Sequence, residues 1–343
     1  MMKALVLKKV CKLMEEREPL KVMTLPVPEP RSGEILIKVT VCGICHTELD
    51  EIEGRAPPPR FPIIPGHQVV GNVAQKGSGA NSFAIGDRVG VAWIFSACGK
   101  CDFCRSGKEN LCHDFIATGR DVNGGYAQYM TVSEKFAHAI PPAFSDSEAA
   151  PLLCAGAIGY RALQLSRISD GNRLGLTGFG ASGHILLKLV RHLYPASNIY
   201  VFARNKKERD FAIELGACWS GESDEKTPER LHAIIDTTPA WKPVVHALSN
   251  LREGGRLIIN AIRKEEDDKD NLLNIDYPTH LWLEKEIKSV ANITRKDVAE
   301  FLHIAAQIPI KPHVETFKLE EANSALAELK EGKIKGAKVL IIG

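Results

Sequence analysis

Over residues 1–140 the apolar positions gather in short runs broken by Gly and Pro: Lys3–Leu7, Glu34–Val41, Gln68–Val73, Arg88–Ala92 and Tyr126–Val132. Runs of this length between turn residues predict strands, and their uneven spacing predicts an irregular β barrel. From Asp146 onward the pattern lengthens. Ala155–Ser166, Ala181–Leu193, Lys206–Leu215 and Lys242–Leu251 carry helical periodicity, while Asn172–Thr177, Asn198–Ala203, Ala233–Asp236, Arg256–Asn260 and Lys288–Ala291 read as strands. Alternation of this kind predicts a doubly wound parallel sheet with helices on both faces. The tail is mixed again, with helices over Lys296–Ala306 and Leu319–Glu328 and strands over His313–Lys318 and Lys338–Ile342. It is expected to fold back on the first half, giving one discontinuous domain of residues 1–153 and 295–343 and a second of residues 154–294. The charged stretch Arg263–Asp270 reads as a solvated loop.

Composition narrows the class. A chain of 343 residues with 44% hydrophobic content can fill two cores. The net charge is only +2, which gives no broad field to hold nucleic acid or an anionic membrane, so neither is expected as a partner. No apolar run is long enough to span a bilayer, and Ala4–Leu7 is closed at once by Lys8 and Lys9. A soluble, cytoplasmic protein is expected. The nine cysteines are an odd count in a chain read as lacking a secretion signal, which favours metal thiolate over a disulfide framework.

Cys98, Cys101, Cys104 and Cys112 follow C-x2-C-x2-C-x7-C in a lobe of about residues 96–113, with Gly99 and Gly107 supplying turns. Four thiolates at about 2.3 Å complete a tetrahedral zinc with no open position, so this is read as a structural site. An iron–sulfur cluster is the rival, because C-x2-C-x2-C also opens a ferredoxin run, but the following proline and a second cluster motif are missing.

A further set is dispersed: Cys45 in Cys42-Gly43-Ile44-Cys45-His46-Thr47-Glu48, His67 in Pro65-Gly66-His67-Gln68, and Cys154 in Ala150-Pro151-Leu152-Leu153-Cys154-Ala155-Gly156. Two thiolates and an imidazole neutralise a zinc dication and leave its fourth position to water or substrate. Taken singly, each has a blander reading, Cys154 as core and His67 as a turn residue. Together with the lobe and the glycine motif Gly178-Phe179-Gly180-Ala181-Ser182-Gly183, however, these segments resemble the zinc-dependent medium-chain alcohol dehydrogenases over nearly the whole chain. The resemblance implies a GroES-like catalytic domain and a Rossmann domain. It also implies two zinc ions, a catalytic one on Cys45, His67 and Cys154 and a structural one on Cys98, Cys101, Cys104 and Cys112.

By the same resemblance Thr47 passes on the alcohol proton, a task suited to a hydroxyl that both donates and accepts. Glu48 stands where the family usually has Asp, as the carboxylate that orients the zinc-bound His. His46 falls at the basic position near the cofactor pyrophosphate, and Trp93 at the substrate-pocket aromatic. Two positions depart from the pattern: Gln68 replaces a Glu, and Asp50 stands where many members carry a His that ends the proton relay. An aspartate does not titrate near neutrality as histidine does.

The glycine motif fits G-x-G-x-x-G between a predicted strand and a predicted helix. Gly178 makes the tight turn, Gly180 admits the pyrophosphate, Gly183 allows close helix packing, and Ser182 lies within the loop. At the end of the second strand, where an acidic side chain would accept from the ribose of NAD, Ala203 stands with Arg204 beside it. NADP is therefore favoured modestly over NAD. The expected activity is reversible hydride transfer between an alcohol and NAD(P), giving an aldehyde or ketone, in a homodimer or homotetramer. A sugar, polyol or secondary-alcohol dehydrogenase of the same family is one alternative, and a non-catalytic nucleotide-binding scaffold is another. Cys11, Cys42 and Cys218 are left as buried small hydrophobes.

Overall fold

The computed structural model describes residues 1–308, 310–333 and 336–343. The chain divides into two compact units, Met1–Ala157 with Asn292–Gly343, and Ile158–Ala291. The first unit opens with β1 (Met2–Leu7) and β2 (Leu20–Leu25), an antiparallel pair. β3 (Glu34–Ile44) runs into α1 (His46–Ile52), and β4 (Val69–Lys76), β5 (Arg88–Val91) and β6 (Ile94–Ser96) follow. The cysteine lobe holds α2 (Asp102–Arg105). It is followed by β7 (Ile116–Ala117), β8 (Tyr129–Ser133) and β9 (Ala137–Ala139), then α3 (Asp146–Pro151) and a π turn over Leu152–Gly156, after which α4 (Ala157–Ser166) leads into the second unit.

In the second unit β10 (Arg173–Thr177), α5 (Ala181–Leu193), β11 (Asn198–Phe202), α6 (Lys206–Glu214) and β12 (Trp219–Gly221) alternate. β13 (Leu231–Asp236), α7 (Lys242–Asn250), β14 (Leu251–Ile259), α8 (Tyr277–His280) and β15 (Glu286–Ser289) complete it. Its six strands are all parallel in the order β12-β11-β10-β13-β14-β15. Counted from β10 this is the 3-2-1-4-5-6 order of the Rossmann fold, in which ligands bind beyond the strand C-termini where the order reverses. Tyr200, Phe202, Ile234 and Leu257 bury one sheet face against Val244 and Leu248 of α7.

The chain then returns to the first unit with α9 (Arg295–Gln307), β16 (Val314–Lys318), α10 (Ala322–Lys330) and β17 (Ala337–Ile341). These strands join the sheet β16-β17-β3-β4-β5-β9, and β8 also pairs with β3. β3 is its hub: Ile35, Ile37 and Val39 alternate into the core while Lys38 points to solvent. Lys338, buried in β17, is paired twice: Glu315 and Glu328 accept from its Nζ at 2.8 and 2.7 Å.

Several local expectations change. The helix expected from Ala155 starts at Asp146, capped by Ser145, and passes through Pro151. Proline cannot donate back to Ser147, and the ladder widens into the π turn immediately after it. β2, α1 and β12 go beyond the predicted elements. The expected strand over Tyr126–Val132 begins only at Tyr129, because Gly124 and Gly125 first bond to the carbonyls of Ile64 and Gly66. The charged stretch is a loop with two anchors rather than a wholly solvated one. Lys264 is buried against the Asp236 carboxylate and the carbonyls of Thr238 and Ala240, and Asp268 accepts from the amides of Trp241 and Lys242 at the start of α7. Of the three unassigned cysteines only Cys42 is buried; Cys11 is half-buried and Cys218 exposed. No helix of the described residues is long and apolar enough to cross a membrane.

Candidate metal centre and cofactor loop

Cys45, His67 and Cys154 all lie in the first unit and come together there. Cys45 is the N-cap of α1, and its sulfur accepts from the Thr47 amide at 3.4 Å. Gly66 places His67: its φ is +98° and a Cβ there would stand 2.4 Å from the Tyr126 ring, so only glycine fits the bend. Cys154 sits in the π turn, a widening of the helix that recurs at functional sites. His67 Nε2 lies 3.6 Å from the Cys45 sulfur and 3.3 Å from that of Cys154. Bond lengths of about 2.0–2.1 Å to nitrogen and about 2.3 Å to sulfur at a tetrahedral angle require a separation of about 3.5 Å, so the donor set fits zinc. Among the described residues no fourth His, Cys, Asp or Glu joins the group.

Glu48 organises two of these ligands at once. One carboxylate oxygen accepts from the Cys45 amide at 2.8 Å, closing a capping box, while the other lies 2.6 Å from His67 Nδ1. A proton on Nδ1 facing Glu48 leaves the Nε2 lone pair for a metal. Burial opposes charge on His67, but Glu48 and Cys45 outweigh it and hold the imidazole well above its ordinary pKa. The hydrogen bond with Cys154, burial and Glu48 push the Cys45 thiol up.

In the lobe the sulfurs of Cys98 and Cys104 are 3.9 Å apart and those of Cys101 and Cys112 are 3.8 Å apart. A zinc–sulfur bond of about 2.3 Å gives a tetrahedral edge of about 3.8 Å, so these four also fit a zinc ion. Amides of Lys100 and Cys101 point at the Cys98 sulfur and lower its thiol to about 6. Backbone donors thus favour thiolate at Cys98, while burial and the neighbouring sulfurs push the Cys104 thiol up to about 12.

Thr47 is half-buried in the first turn of α1 beside Cys45, and His46 before it is exposed. Trp93 is half-buried, with its ring tilted against Phe115 at 5.4 Å. Gln68 packs its side chain on Gly43 of β3, and its Nε2 finds no acceptor. Asp50 is held by Arg55, whose Nε donates at 2.5 Å. Sequence reasoning missed Glu51, which is 1% exposed and sits beside Trp93 and Glu48. Burial first, then the Glu48 charge, push its carboxyl well above the usual range. Helical spacing would have found it, since residues 48 and 51 share a face only if His46–Ile52 is read as a helix.

In the second unit the glycine motif follows β10 and opens α5. Gly178 has φ +83°, and its amide donates to Phe202 O at 2.8 Å. A Cβ on Gly180 would meet nothing within 4 Å, whereas one on Gly183 would stand 2.8 Å from the Gly178 carbonyl. The loop is therefore open where a pyrophosphate would approach and tight where the helix packs, and it fits a dinucleotide. Ser182 is half-buried in the first turn of α5. Ala203 is buried just beyond the end of β11, its amide bonded to Gly221 O, and Arg204 is exposed beside it. Arg209 donates to both of their carbonyls at 2.9 Å, and Asn205 caps α6.

A family model for the alcohol dehydrogenase GroES-like domain matches residues 31–142. The probable alcohol dehydrogenase AdhA of Mycobacterium tuberculosis is 41% identical over 329 residues, which cover 94% of this chain and 93% of the relative. Acetophenone reductase from Geotrichum candidum, solved in complex with NAD, superposes with a TM-score of 0.85 at 25% identity, covering 99% of this chain and 97% of that one. CAD from Helicobacter pylori, complexed with NADP(H), gives a TM-score of 0.86 at 24% identity over the same shares, a likeness of fold. Near-complete coverage at this identity, over a chain with both cysteine-containing donor sets, establishes that the chain belongs to the zinc-dependent medium-chain alcohol dehydrogenase family and is an oxidoreductase.

Proposed function

We propose that this protein interconverts an alcohol with its aldehyde or ketone by reversible hydride transfer to NADP, with Cys45, His67 and Cys154 as the ligands of the catalytic zinc. The reading is carried by the convergence of these three donors, with Glu48 bracing two of them. When bound, zinc supplies a Lewis acid for the substrate oxygen and the nicotinamide supplies the hydride acceptor. Glu48 holds the Nδ1 proton of His67 and so keeps Nε2 aimed at the ion. Thr47 Oγ1 takes the hydroxyl proton from the alcohol, and the Trp93 ring bounds the substrate space. Asp50 stands paired with Arg55, and the relay ends without the histidine step common in the family. A scaffold protein would have no use for three converging donors beside a free hydroxyl.

In the same proposal the first unit is catalytic and the second holds the cofactor, with Gly178, Gly180, Ser182 and Gly183 around the pyrophosphate, and His46 is the basic residue at the family's cofactor position. Arg204 supplies the charge for a 2′-phosphate, supported by its exposure and by the absence of an acid at Ala203. The zinc on Cys98, Cys101, Cys104 and Cys112 is structural. The cytoplasm is the expected location, and a homodimer or homotetramer the assembly. β15 supports the latter, being a sheet edge that carries exposed Ile287 and follows exposed Tyr277 and Trp282. A panel of primary, secondary and polyhydric alcohols with each cofactor, repeated for Arg204→Ala, tests the reading. We expect kcat/KM to favour NADP and that preference to fall about tenfold in the variant. A wild type preferring NAD overturns the cofactor assignment, and no turnover with any alcohol overturns the activity.

A further inference from the structure

α9 packs against the neighbours of both metal-ligating groups of the first unit. At its N-terminal end Glu109, buried in the cysteine lobe, crosses 186 positions of sequence to Arg295. The carboxylate accepts from the Arg295 amide at 2.8 Å, from Nε at 2.9 Å and from Nη2 at 2.6 Å. The guanidinium lies 4.5 Å over the Phe136 ring and also reaches the Lys135 carbonyl. Burial alone would raise the Glu109 carboxyl, but Arg295 outweighs it and holds the group below the ordinary glutamate range. This is a bidentate, helix-terminal, cation–π-backed pair in a depression that Cys104 and His138 also line, not a loose surface ion pair. A Thr294–Asp297 capping box fixes the first helical turn behind it.

The buried stripe of α9 continues from Arg295 through Val298, Phe301, Leu302 and Ala305. Phe301 is fully buried, and its ring fills the space beside Gly156, where an added Cβ would stand 2.2 Å from Cε1. Gly156 is the last residue of the π turn that carries Cys154. A π turn has weaker internal hydrogen bonding than an α-helix, so its shape depends on what packs against it. Six residues of helix put only about 9 Å along the axis between the clamp and the ring.

We propose that α9 mechanically links the two metal sites: the Glu109–Arg295 clamp docks the cysteine lobe on the helix, and Phe301 passes that order to the Cys154 turn. Arg295 and Phe301 are then positioning residues for a ligand neither of them touches. Filling the lobe stiffens the clamp, and the open site holds its own ion longer.

The inference rests on the zinc assignment above, and its test separates the two. The zinc-loaded full chain is mixed with the chelator 4-(2-pyridylazo)resorcinol and metal release is followed. Wild type is expected to release two ions per chain in two phases, and fewer than two overturns the zinc assignment itself. Cobalt in place of zinc assigns the phases, because four thiolates and a two-thiolate, one-imidazole set give different spectra. Glu109→Gln should speed release from both sites, by about fivefold at the open one, and shift the open-site cobalt absorption. Arg295→Lys should act in the same direction and decides the matter if Glu109→Gln does not fold. Phe301→Leu should speed the open site alone. A faster lobe phase in Glu109→Gln with open-site release and spectrum unchanged overturns the link and leaves both zinc sites standing.

Discussion

The two cysteine-bearing sites differ in where their ligands come from. The lobe draws all four from one stretch, residues 98–112, whose regular structure is α2 and a 3-10 turn over Glu109–Leu111, and backbone amides already face its sulfurs. A short loop can surround an ion completely, and the four sulfurs here are spaced to do so. The open site draws on a helix N-cap, a glycine bend and a π turn, each committed to its own element before it contributes a donor. Three such elements can meet at a point without a fourth protein ligand, which leaves room for chemistry. Their aim must then be enforced by a partner, and Glu48 supplies it.

The largest expected effect comes from removing one ligand at each site. Cys45→Ser should lower kcat/KM on the order of a thousandfold or more, with the thermal midpoint little changed, because it weakens the hold on the ion that would stabilise developing charge on the substrate oxygen. Cys104→Ser should do the reverse, lowering the midpoint while turnover at saturating zinc stays within about fivefold of wild type. Activity assays and calorimetry on the two variants would break the comparison if both lost activity equally.

Glu48→Gln sharpens it. The amide keeps the size but loses the charge facing His67 Nδ1 and the acceptor pairing with the Cys45 amide. Zinc affinity at the open site should fall about 10- to 100-fold, and competitive titration should find the lobe unaffected. Equal affinity in the variant would mean that the elements alone hold the ligands in place.

The same contrast explains what was legible in the sequence. The lobe could be read from spacing alone because its ligands are sequence neighbours. The parallel sheet could be read because βα alternation repeats with a clear period. The open site could not be read from periodicity, since no spacing rule connects residues 45, 67 and 154, and it needed resemblance to a family. α1 escaped because Glu48, Asp50 and Glu51 are polar yet buried, which hides the helical stripe. The start at Asp146 escaped because Pro151 looks like a terminator. Lys264 and Asp268 escaped because charge in a short acidic and basic run reads as solvation unless the partners, Asp236 and the α7 amides, are known.

Acid should distinguish the surroundings of the two sites through their buried histidines. His138, lining the depression beside the lobe, is driven down to about 4 by burial and by Arg295, opposite in direction to His67. A folded pKa below the unfolded value of 6.5 means that the unfolded chain binds the extra proton first. Its contribution is therefore complete above pH 6.5 and is lost as pH falls toward 4, by about 2 kcal/mol at pH 5. Urea midpoints at pH 7 and pH 5 should show this slope in wild type and a shallower one in His138→Phe. Parallel slopes would assign the acid sensitivity elsewhere.

The smallest expected effect lies at Gln68, beside the open site and without a counterpart in the lobe. Its Nε2 is buried without an acceptor, and its side chain packs on Gly43, so the amide is tolerated rather than used. A carboxylate at this position would add a negative charge near two thiolates and Glu48. That charge would favour a metal dication held by the three ligands and so ease exchange of substrate and product there. Gln68→Glu should therefore raise turnover by about two- to threefold where exchange limits it, with KM moving and the lobe's metal content unchanged. Steady-state kinetics with metal analysis would detect it. Identical kcat and KM would show that exchange at the open site is already fast, and that three ligands braced by Glu48 need no further help.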